Sequence, residues 1–420
     1  MQKIGIGFGL AISLMLHFSC KSDDHKPDPQ TEQPHFAHYM AIGNSLTAGY
    51  ADKGLYRAGQ LVAYPNLIAQ QLQKVGGGAF QTPLFPEEKA NGSGYMVLRG
   101  MNDGIPVFEE VTTQLAYRSI DPPLLEKHTD VIHNLGVPGM RMDMAFYPGI
   151  GSPEGNMYFE RLLPDAQALK TYFDHSTNQN HTFFSFSLGN NDLLGYAANG
   201  AVTEGPTTVL TSIADFETGL KNYMQALTAG GQQGVIATLP DVTAAPYFTT
   251  VTKELLLTHL NKQAGTTFEN LFIQTKSGVR TATADDLFVL EMATNGLLGT
   301  DGYGLVPENP IEDQYILDQD EIIEVQERTA AFNTLIRTIA QEKGLALADV
   351  HQFLNNVKAG ILVDGIPVDA TYITGRAFSL DGIHLTPAGN ALMANLFILA
   401  INSHYQTQVP LLEVKNFLAD

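Results

Sequence analysis

The sequence has 420 residues and a formal charge of -20, from 24 basic and 44 acidic side chains. A charge this negative leaves no basic surface for a phosphate backbone, which argues against nucleic acid as a partner. The hydrophobic fraction of 44% is typical of a globular chain, which excludes wholesale disorder, and the single cysteine excludes an intramolecular disulfide or a cysteine-based zinc cluster.

The first twenty residues have the pattern of a secretion signal. Lys3 precedes an apolar run over 4–16, and Ser19 and Cys20 follow. The run is shorter than the about 20 apolar residues that cross a bilayer. Because Ser19-Cys20 resembles the lipobox of bacterial lipoproteins, we expect a signal peptide over 1–19 and lipid attachment at Cys20. An ordinary signal peptide with an incidental cysteine is the alternative.

Residues 20–36 are polar and contain prolines, which predicts a flexible tether. Within them, Lys21, Asp23 and Asp24 resemble the surface-export signal of Bacteroidota lipoproteins. We therefore expect an exported protein that is lipid-anchored to the bacterial outer membrane, on its periplasmic or its surface side. The rest of the chain, 37–420, is predicted to form one domain.

Short apolar segments alternate with segments of helical period along this domain. The predicted strands are 38–42, 131–135, 183–188, 234–239 and 345–350. The predicted helices are 65–74, 207–227, 322–343 and 387–403, the last with Thr386 as N-cap. This alternation predicts an α/β fold with a doubly wound parallel sheet, in which ligands bind at the carboxyl ends of the strands.

Two long stretches interrupt the alternation, at about 76–127 and 243–315. Both are rich in glycine, proline and turn signals, and loops of this length usually carry structure of their own. We interpret them as insertions that flank the site. An acidic group over 308–320 spans the end of the second stretch and the residues before the next helix. It lacks the spacing of a calcium-binding loop, which favours a solvated face over a calcium site.

The first predicted strand ends in Gly43-Asn44-Ser45, which places a serine at a sharp strand-to-helix junction. Near the other end of the chain, Asp381 and His384 lie three residues apart before a capped helix. A carboxylate at that spacing can hold an imidazole in the tautomer that accepts a proton from serine. Each segment alone is more often a turn or a cap.

The second and third predicted strands end in Asn134-Leu135-Gly136-Val137-Pro138-Gly139 and Gly189-Asn190-Asn191-Asp192. Glycine amides and asparagine side chains at neighbouring strand ends can direct donors into one cleft. Such donors stabilise the oxyanion that forms when a serine attacks a carbonyl carbon.

Together the four segments resemble the SGNH or GDSL hydrolase superfamily, whose blocks carry serine, glycine, asparagine and histidine in this order. The resemblance implies Ser45 as nucleophile, His384 as general base and Asp381 as its orienting carboxylate. It also implies an oxyanion hole formed by Ser45, Gly139 and Asn191, with Gly136 as the competing backbone donor. Asn44 departs from the motif, which has aspartate there; this puts the start of the following helix in doubt.

The resemblance implies a flavodoxin-like sheet and a carboxylic ester hydrolase, an esterase or lipase, that works through an acyl-enzyme without metal or cofactor. The substrate is then an acyl ester, either of a lipid or of an acetylated glycan. A non-catalytic surface lipoprotein that binds a glycan or a partner is the alternative of another class. Dependence of turnover on acyl-chain length is the observation that separates the two substrates.

Overall fold

The computed structural model describes residues 33–102, 105–363 and 365–418. The predicted signal peptide, Cys20 and most of the predicted tether lie outside the described residues. Pro34 and Phe36 are buried, and the ring of Phe36 packs edge-on against Phe183 with centroids 5.0 Å apart. Packing of the folded body therefore begins a few residues before the predicted start at residue 37.

The central sheet consists of five parallel strands, named β1 (Tyr39–Gly43), β2 (Asn134–Gly136), β3 (Phe183–Ser187), β4 (Gln233–Ala237) and β5 (Ala346–Ala348). Their spatial order is β2-β1-β3-β4-β5, the order of flavodoxin-like doubly wound sheets. All five predicted strands are present with shifted ends. The largest shift is at β2, which starts at Asn134 because Val131 is solvent-exposed and lies before the ladder.

The principal helices are α1 (Ser45–Ala48), α2 (Tyr64–Gln73), α3 (Asn191–Ala198), α4 (Ile213–Leu227), α5 (Lys253–Ala264), α6 (Gln319–Lys343), α7 (Val350–Ala359) and α8 (Pro387–Tyr405). Further short helices cover Arg57–Leu61, Met157–Glu160, Tyr172–Thr177 and Pro246–Thr249. The predicted Thr386 cap is confirmed, since its Oγ1 accepts the N–H of Gly389 at 3.0 Å. The predicted start of α4 at Thr207 is wrong: Ser212 caps the helix, which begins at Ile213.

Side chains on alternate positions of the strands build two hydrophobic cores. On one face, Met40, Ile42 and Phe184 pack against residues of α4 and α6. On the other face, Tyr39 and Ala41 pack against residues of α2 and α8. Helices thus cover both faces of the sheet, as the alternation of elements predicts.

Both predicted insertions contain regular structure. The first forms two hairpins, Tyr95–Asn102 with Ile105–Val111 and Tyr117–Ile120 with Pro123–Leu125. The second holds α5, a hairpin of Phe272–Thr275 with Gly278–Thr281, and the strand Leu287–Phe288, which pairs with Ile316–Leu317. A last hairpin joins Ile361–Val363 to Ile366–Val368. Within the described part of the chain, no helix has both the length and the hydropathy that crossing a membrane requires.

Candidate active site

Ser45 is the first residue of α1 and follows β1 directly. The turn between them is tight: a side chain at Gly43 would place its Cβ 2.0 Å from Thr47 Oγ1, so glycine is required there. Asn44 caps the helix, and its Oδ1 accepts the N–H of Leu46 at 3.2 Å. Ser45 itself is only 7% exposed, and its N–H has no hydrogen-bond partner among the described residues.

Asp381 and His384 form a buried pair in the loop before α8. Nδ1 of His384 lies 2.9 Å from Oδ2 of Asp381. Oδ1 of Asp381 accepts the backbone N–H groups of Ile383 and His384 at 2.9 and 2.8 Å, and the hydroxyl of Ser379 at 3.1 Å. Burial alone would raise the pKa of Asp381, but His384 and these hydrogen bonds outweigh it and hold the pKa well below its usual range. An ionised carboxylate only accepts, so Nδ1 donates and Nε2 is the basic nitrogen.

A two-residue turn after α1 contacts the same carboxylate. The turn is closed by hydrogen bonds between Ala51 and Gly54, and both of its central residues, Asp52 and Lys53, have positive φ. The N–H of Lys53 donates to Oδ2 of Asp381 at 3.1 Å. The carboxylate of Asp52 accepts the N–H of Leu380 at 2.9 Å. Two non-glycine residues in the left-handed region are costly, and such strain is often found near functional sites.

Ser45 and His384 line a common open cleft of about 420 Å³ at the carboxyl ends of β1, β2 and β3. Gly139 and Asn191 line the same cleft, and Asp381 stands behind His384. The structure therefore brings together all five residues for which the sequence predicted a catalytic role. The ring of Tyr50 packs beside the imidazole of His384, with centroids 4.7 Å apart.

Gly139 and Gly136 differ in the availability of their N–H groups. The N–H of Gly136 is buried and donates to Oδ1 of Asn134 at 3.0 Å, and a Cβ at this position would lie 2.3 Å from the backbone nitrogen of Ala48. Gly139 is exposed to the cleft with φ of +78°, and its N–H has no partner among the described residues. The geometry favours Gly139 over Gly136 as the backbone donor.

Asn191 is the first residue of α3, and its Nδ2 donates to the carbonyl oxygen of Met140 at 3.0 Å. An amide nitrogen carries two hydrogens, so the second one is available to the cleft. The same contact ties the end of β3 to the loop that carries Gly139. The three candidate donors are therefore the N–H groups of Ser45 and Gly139 and the side-chain amide of Asn191.

A buried charge network, which the sequence analysis did not identify, supports this loop. Asp192 accepts the N–H of Met142 and the hydroxyl of Thr211, both at 2.8 Å. Arg141 is 1% exposed, pairs with Asp143 at 2.7 Å and donates to the carbonyl oxygens of Asn191, Thr207 and Val209. These contacts hold the segment before α4 in a non-helical conformation as far as Ser212. Burial raises the pKa of Asp192, and the nearby Asp143 carboxylate raises it further. Arg141 lowers this pKa, and the net result is a pKa of about 6.

Among the described residues, no group of three or more histidine, cysteine, aspartate or glutamate side chains is arranged to hold a metal ion. The acidic residues near the start of α6 serve the helix instead. Asp318 and Glu321 form a reciprocal capping box, in which Asp318 accepts the N–H of Glu321 at 3.1 Å.

The comparisons with known proteins address the family. Residues 39–397 match the sequence model of a protein family described as "GDSL-like Lipase/Acylhydrolase". The chain belongs to the GDSL-like lipase/acylhydrolase family. Hydrolysis of ester-type bonds is therefore the general activity class of this chain. The match spans the domain from β1 into α8.

Solved structures similar to this GDSL-like chain have low sequence identity to it. A GDSL-like lipase from Parabacteroides merdae is 11% identical, with 88% of this chain and 98% of that one covered and a TM-score of 0.35. A lipase/acylhydrolase from Enterococcus faecalis is 11% identical, with coverages of 89% and 97% and a TM-score of 0.32. An extracellular lipase from Streptomyces rimosus is 12% identical, with coverages of 87% and 98% and a TM-score of 0.34. A comparison with curated proteins finds no significant match.

The departure of this GDSL-like chain from its family motif lies at Asn44. The expected doubt about the start of the following helix is removed by the contact from Leu46, because the asparagine oxygen caps α1. The asparagine also brings a nitrogen, and this Nδ2 is buried with no partner among the described residues. Asparagine in place of the motif's aspartate thus preserves the helix cap and adds an unpaired hydrogen-bond donor next to Ser45.

Proposed function

We propose that the chain is a carboxylic ester hydrolase in which Ser45, His384 and Asp381 act as a catalytic triad. The observation that carries the proposal is the 2.9 Å contact between Asp381 and His384, together with the cleft that His384 shares with Ser45. Nε2 of His384 accepts the proton of Ser45 as the Oγ attacks the carbonyl carbon of the ester.

Attack creates an oxyanion, which the N–H groups of Ser45 and Gly139 and the amide of Asn191 stabilise. The tetrahedral species then collapses: the bond to the alcohol oxygen breaks, and His384 donates its proton to the leaving alcohol. Water, deprotonated by His384, attacks the acyl-enzyme and releases the acid by the reverse sequence. Asp381 stays ionised and holds the imidazole throughout, which is consistent with its lowered pKa.

The test is hydrolysis of 4-nitrophenyl esters by the full chain and by Ser45→Ala. Removing the nucleophile is expected to lower kcat by about 10³-fold or more. Ser119→Ala is a matched control, since the hydroxyl of Ser119 donates to the carbonyl oxygen of Asp121 and the residue does not line the cleft. Turnover that persists in Ser45→Ala would contradict the triad. Absence of any turnover in the parent chain would favour the binding lipoprotein.

A further inference from the structure

A second cavity meets the open cleft at Ser45 and His384. This cavity, here called the slot, has a volume of about 50 Å³. Most of its lining is apolar, with contributions from Leu46 of α1, Leu354 of α7, Phe378, and Met393 of α8. The slot thus runs between helices, whereas the cleft opens to solvent.

The volume of the slot limits what it holds. A dry apolar cavity of ~150 Å³ is known to bind one benzene molecule, which has six carbon atoms. The slot has about a third of that volume. By that ratio it accommodates about two carbon atoms beyond the acyl carbon at Ser45. Ala370 lines both the slot and a separate cavity of about 580 Å³ that Ser45 does not line, so Ala370 marks the end away from the serine.

Two unpaired polar atoms of the slot belong to residues beside Ser45 and Asn191, whereas the carboxylate of Asp241, which also lines the slot, is bonded to Thr243 and Gln326. Nδ2 of Asn44 and Oδ1 of Asn190 are buried without a partner among the described residues, and both side chains line the slot. Asn44 precedes Ser45 in the chain, and Asn190 precedes Asn191. The slot is thus polar where a carboxyl group would react and apolar where a hydrocarbon chain would extend.

We infer that the slot binds the acyl group of the substrate and restricts it to short chains, from acetyl to about butyryl. This inference rests on the proposed function. The acyl carbon stays bonded to Ser45 after the alcohol has left, so the acyl group is assigned to the slot, which is narrower than the cleft and mostly apolar. The alcohol must depart once His384 has protonated it, and the open cleft beside Tyr50 gives it a path to solvent.

The first experiment compares 4-nitrophenyl acetate, butyrate and octanoate with the full chain. The expected kcat/KM for acetate and butyrate is at least about tenfold above that for octanoate, because each misplaced methylene in a tight pocket costs roughly tenfold or more. Octanoate turnover equal to or above that of acetate, and lost in Ser45→Ala, would overturn the short-chain inference and leave the triad standing. Octanoate turnover that survives in Ser45→Ala would instead contradict the triad.

Two variants test the slot itself. Leu354→Ala enlarges it and is expected to raise the ratio of octanoate to acetate kcat/KM by about tenfold. Leu396→Ala removes the same atoms from a partly buried leucine of α8 that does not line the slot, and should leave the ratio unchanged. Ala370→Leu fills the end of the slot away from the serine and should lower butyrate turnover relative to acetate turnover about tenfold. This second variant keeps the test usable if Leu354→Ala does not fold. Unchanged ratios in the folded variants would overturn the inference.

Discussion

The N–H of Lys53 donates to the same carboxylate oxygen of Asp381 that lies against Nδ1 of His384. The two residues are 328 positions apart in the chain. Lys53 belongs to the turn that follows the Ser45 helix, whereas Asp381 belongs to the loop before α8. The segment that carries the serine thus helps to fix the group that orients the histidine.

The first prediction concerns Asp381→Asn, which keeps the size of the side chain and removes its charge. The amide cannot hold His384 in the tautomer with a basic Nε2, so kcat is expected to fall about 10⁴-fold. Steady-state kinetics with 4-nitrophenyl acetate measures the loss. Asp285→Asn, at an exposed position of the second insertion, is the control that should keep its activity. A loss below tenfold in Asp381→Asn would contradict the proposed role.

A second prediction separates the two candidate glycines. Gly139→Ala introduces a side chain at positive φ, with its Cβ 3.3 Å from Nδ2 of Asn156. The N–H of residue 139 should therefore shift and kcat should fall, with a stability loss of about 1–2 kcal/mol. Gly136→Ala drives a Cβ into the backbone of α1 and should mainly destabilise the fold, by about 1–3 kcal/mol or more. Urea unfolding and kcat, measured on both variants, give the comparison. Loss of kcat in a stably folded Gly136→Ala, with an active Gly139→Ala, would reverse the assignment.

Asn191→Leu is the third prediction. The leucine keeps the approximate shape and removes the amide donor, so kcat should fall about 10²- to 10³-fold, as for other oxyanion-hole donors. KM should change less, because the lost interaction strengthens only in the transition state. Asn199→Leu, at the C-terminal end of the same helix, is a matched substitution outside the cleft. Equal losses in both variants would indicate a structural effect.

A fourth prediction follows from Asp192, whose pKa rises from 3.8 to about 6 in the folded protein. A raised folded-state pKa gives a stabilising contribution that is complete below about pH 3.8 and is lost as the pH rises through about 6. From pH 4 to pH 7 the parent chain should therefore lose roughly 2–3 kcal/mol of unfolding free energy relative to Asp192→Asn, at about 1.4 kcal/mol per pKa unit. Urea denaturation across this range measures the difference. A difference independent of pH would disagree with the raised pKa.

The fifth prediction addresses the N-terminus. We propose that Cys20 is lipidated and that the anchored chain lies at the bacterial outer membrane. Cys20→Ala should then lose incorporation of labelled palmitate and leave the membrane fraction, because no acyl chain is attached. Ser22→Ala, two residues further along, should keep both properties. A Cys20→Ala protein that still fractionates with the membrane would argue for another mode of attachment.

Sequence patterns predicted the sheet and the edge at which the site lies, because apolar runs mark strands and parallel strands share one carboxyl end. Ser45, Gly139 and Asn191 each follow one of those strands, so their convergence could be expected. The start of α4 was misplaced because apolar spacing continues before Ser212. The hydrogen bonds from Arg141 to this segment hold it in a non-helical conformation, and such long-range contacts leave no trace in the apolar spacing.

Other features depended on tertiary contacts. Gly136 and Gly139 look alike in sequence, and they are separated only by tertiary features: the closeness of Ala48 to Gly136, the hydrogen bond from the Gly136 N–H to Asn134, and the exposure of Gly139 to the cleft. The contact from Lys53 to Asp381 uses a backbone N–H, so no side-chain motif could have indicated it. The sequence contains a weak indication for Asp192, because this residue directly follows Asn190 and Asn191. Its burial beside Arg141 is visible only in the folded structure.

The turn at Ala51–Gly54 also has a consequence for biosynthesis. Its partners, Leu380 and Asp381, lie 328 positions after the turn residues that they contact, so a ribosome adds them much later than Ser45. A nascent chain that holds only the earlier strands would carry Ser45, the proposed nucleophile, without His384, its proposed base, and without Asp381. If the proposed triad acts, hydrolysis therefore begins only after the loop before α8 has been synthesised and has folded against this turn.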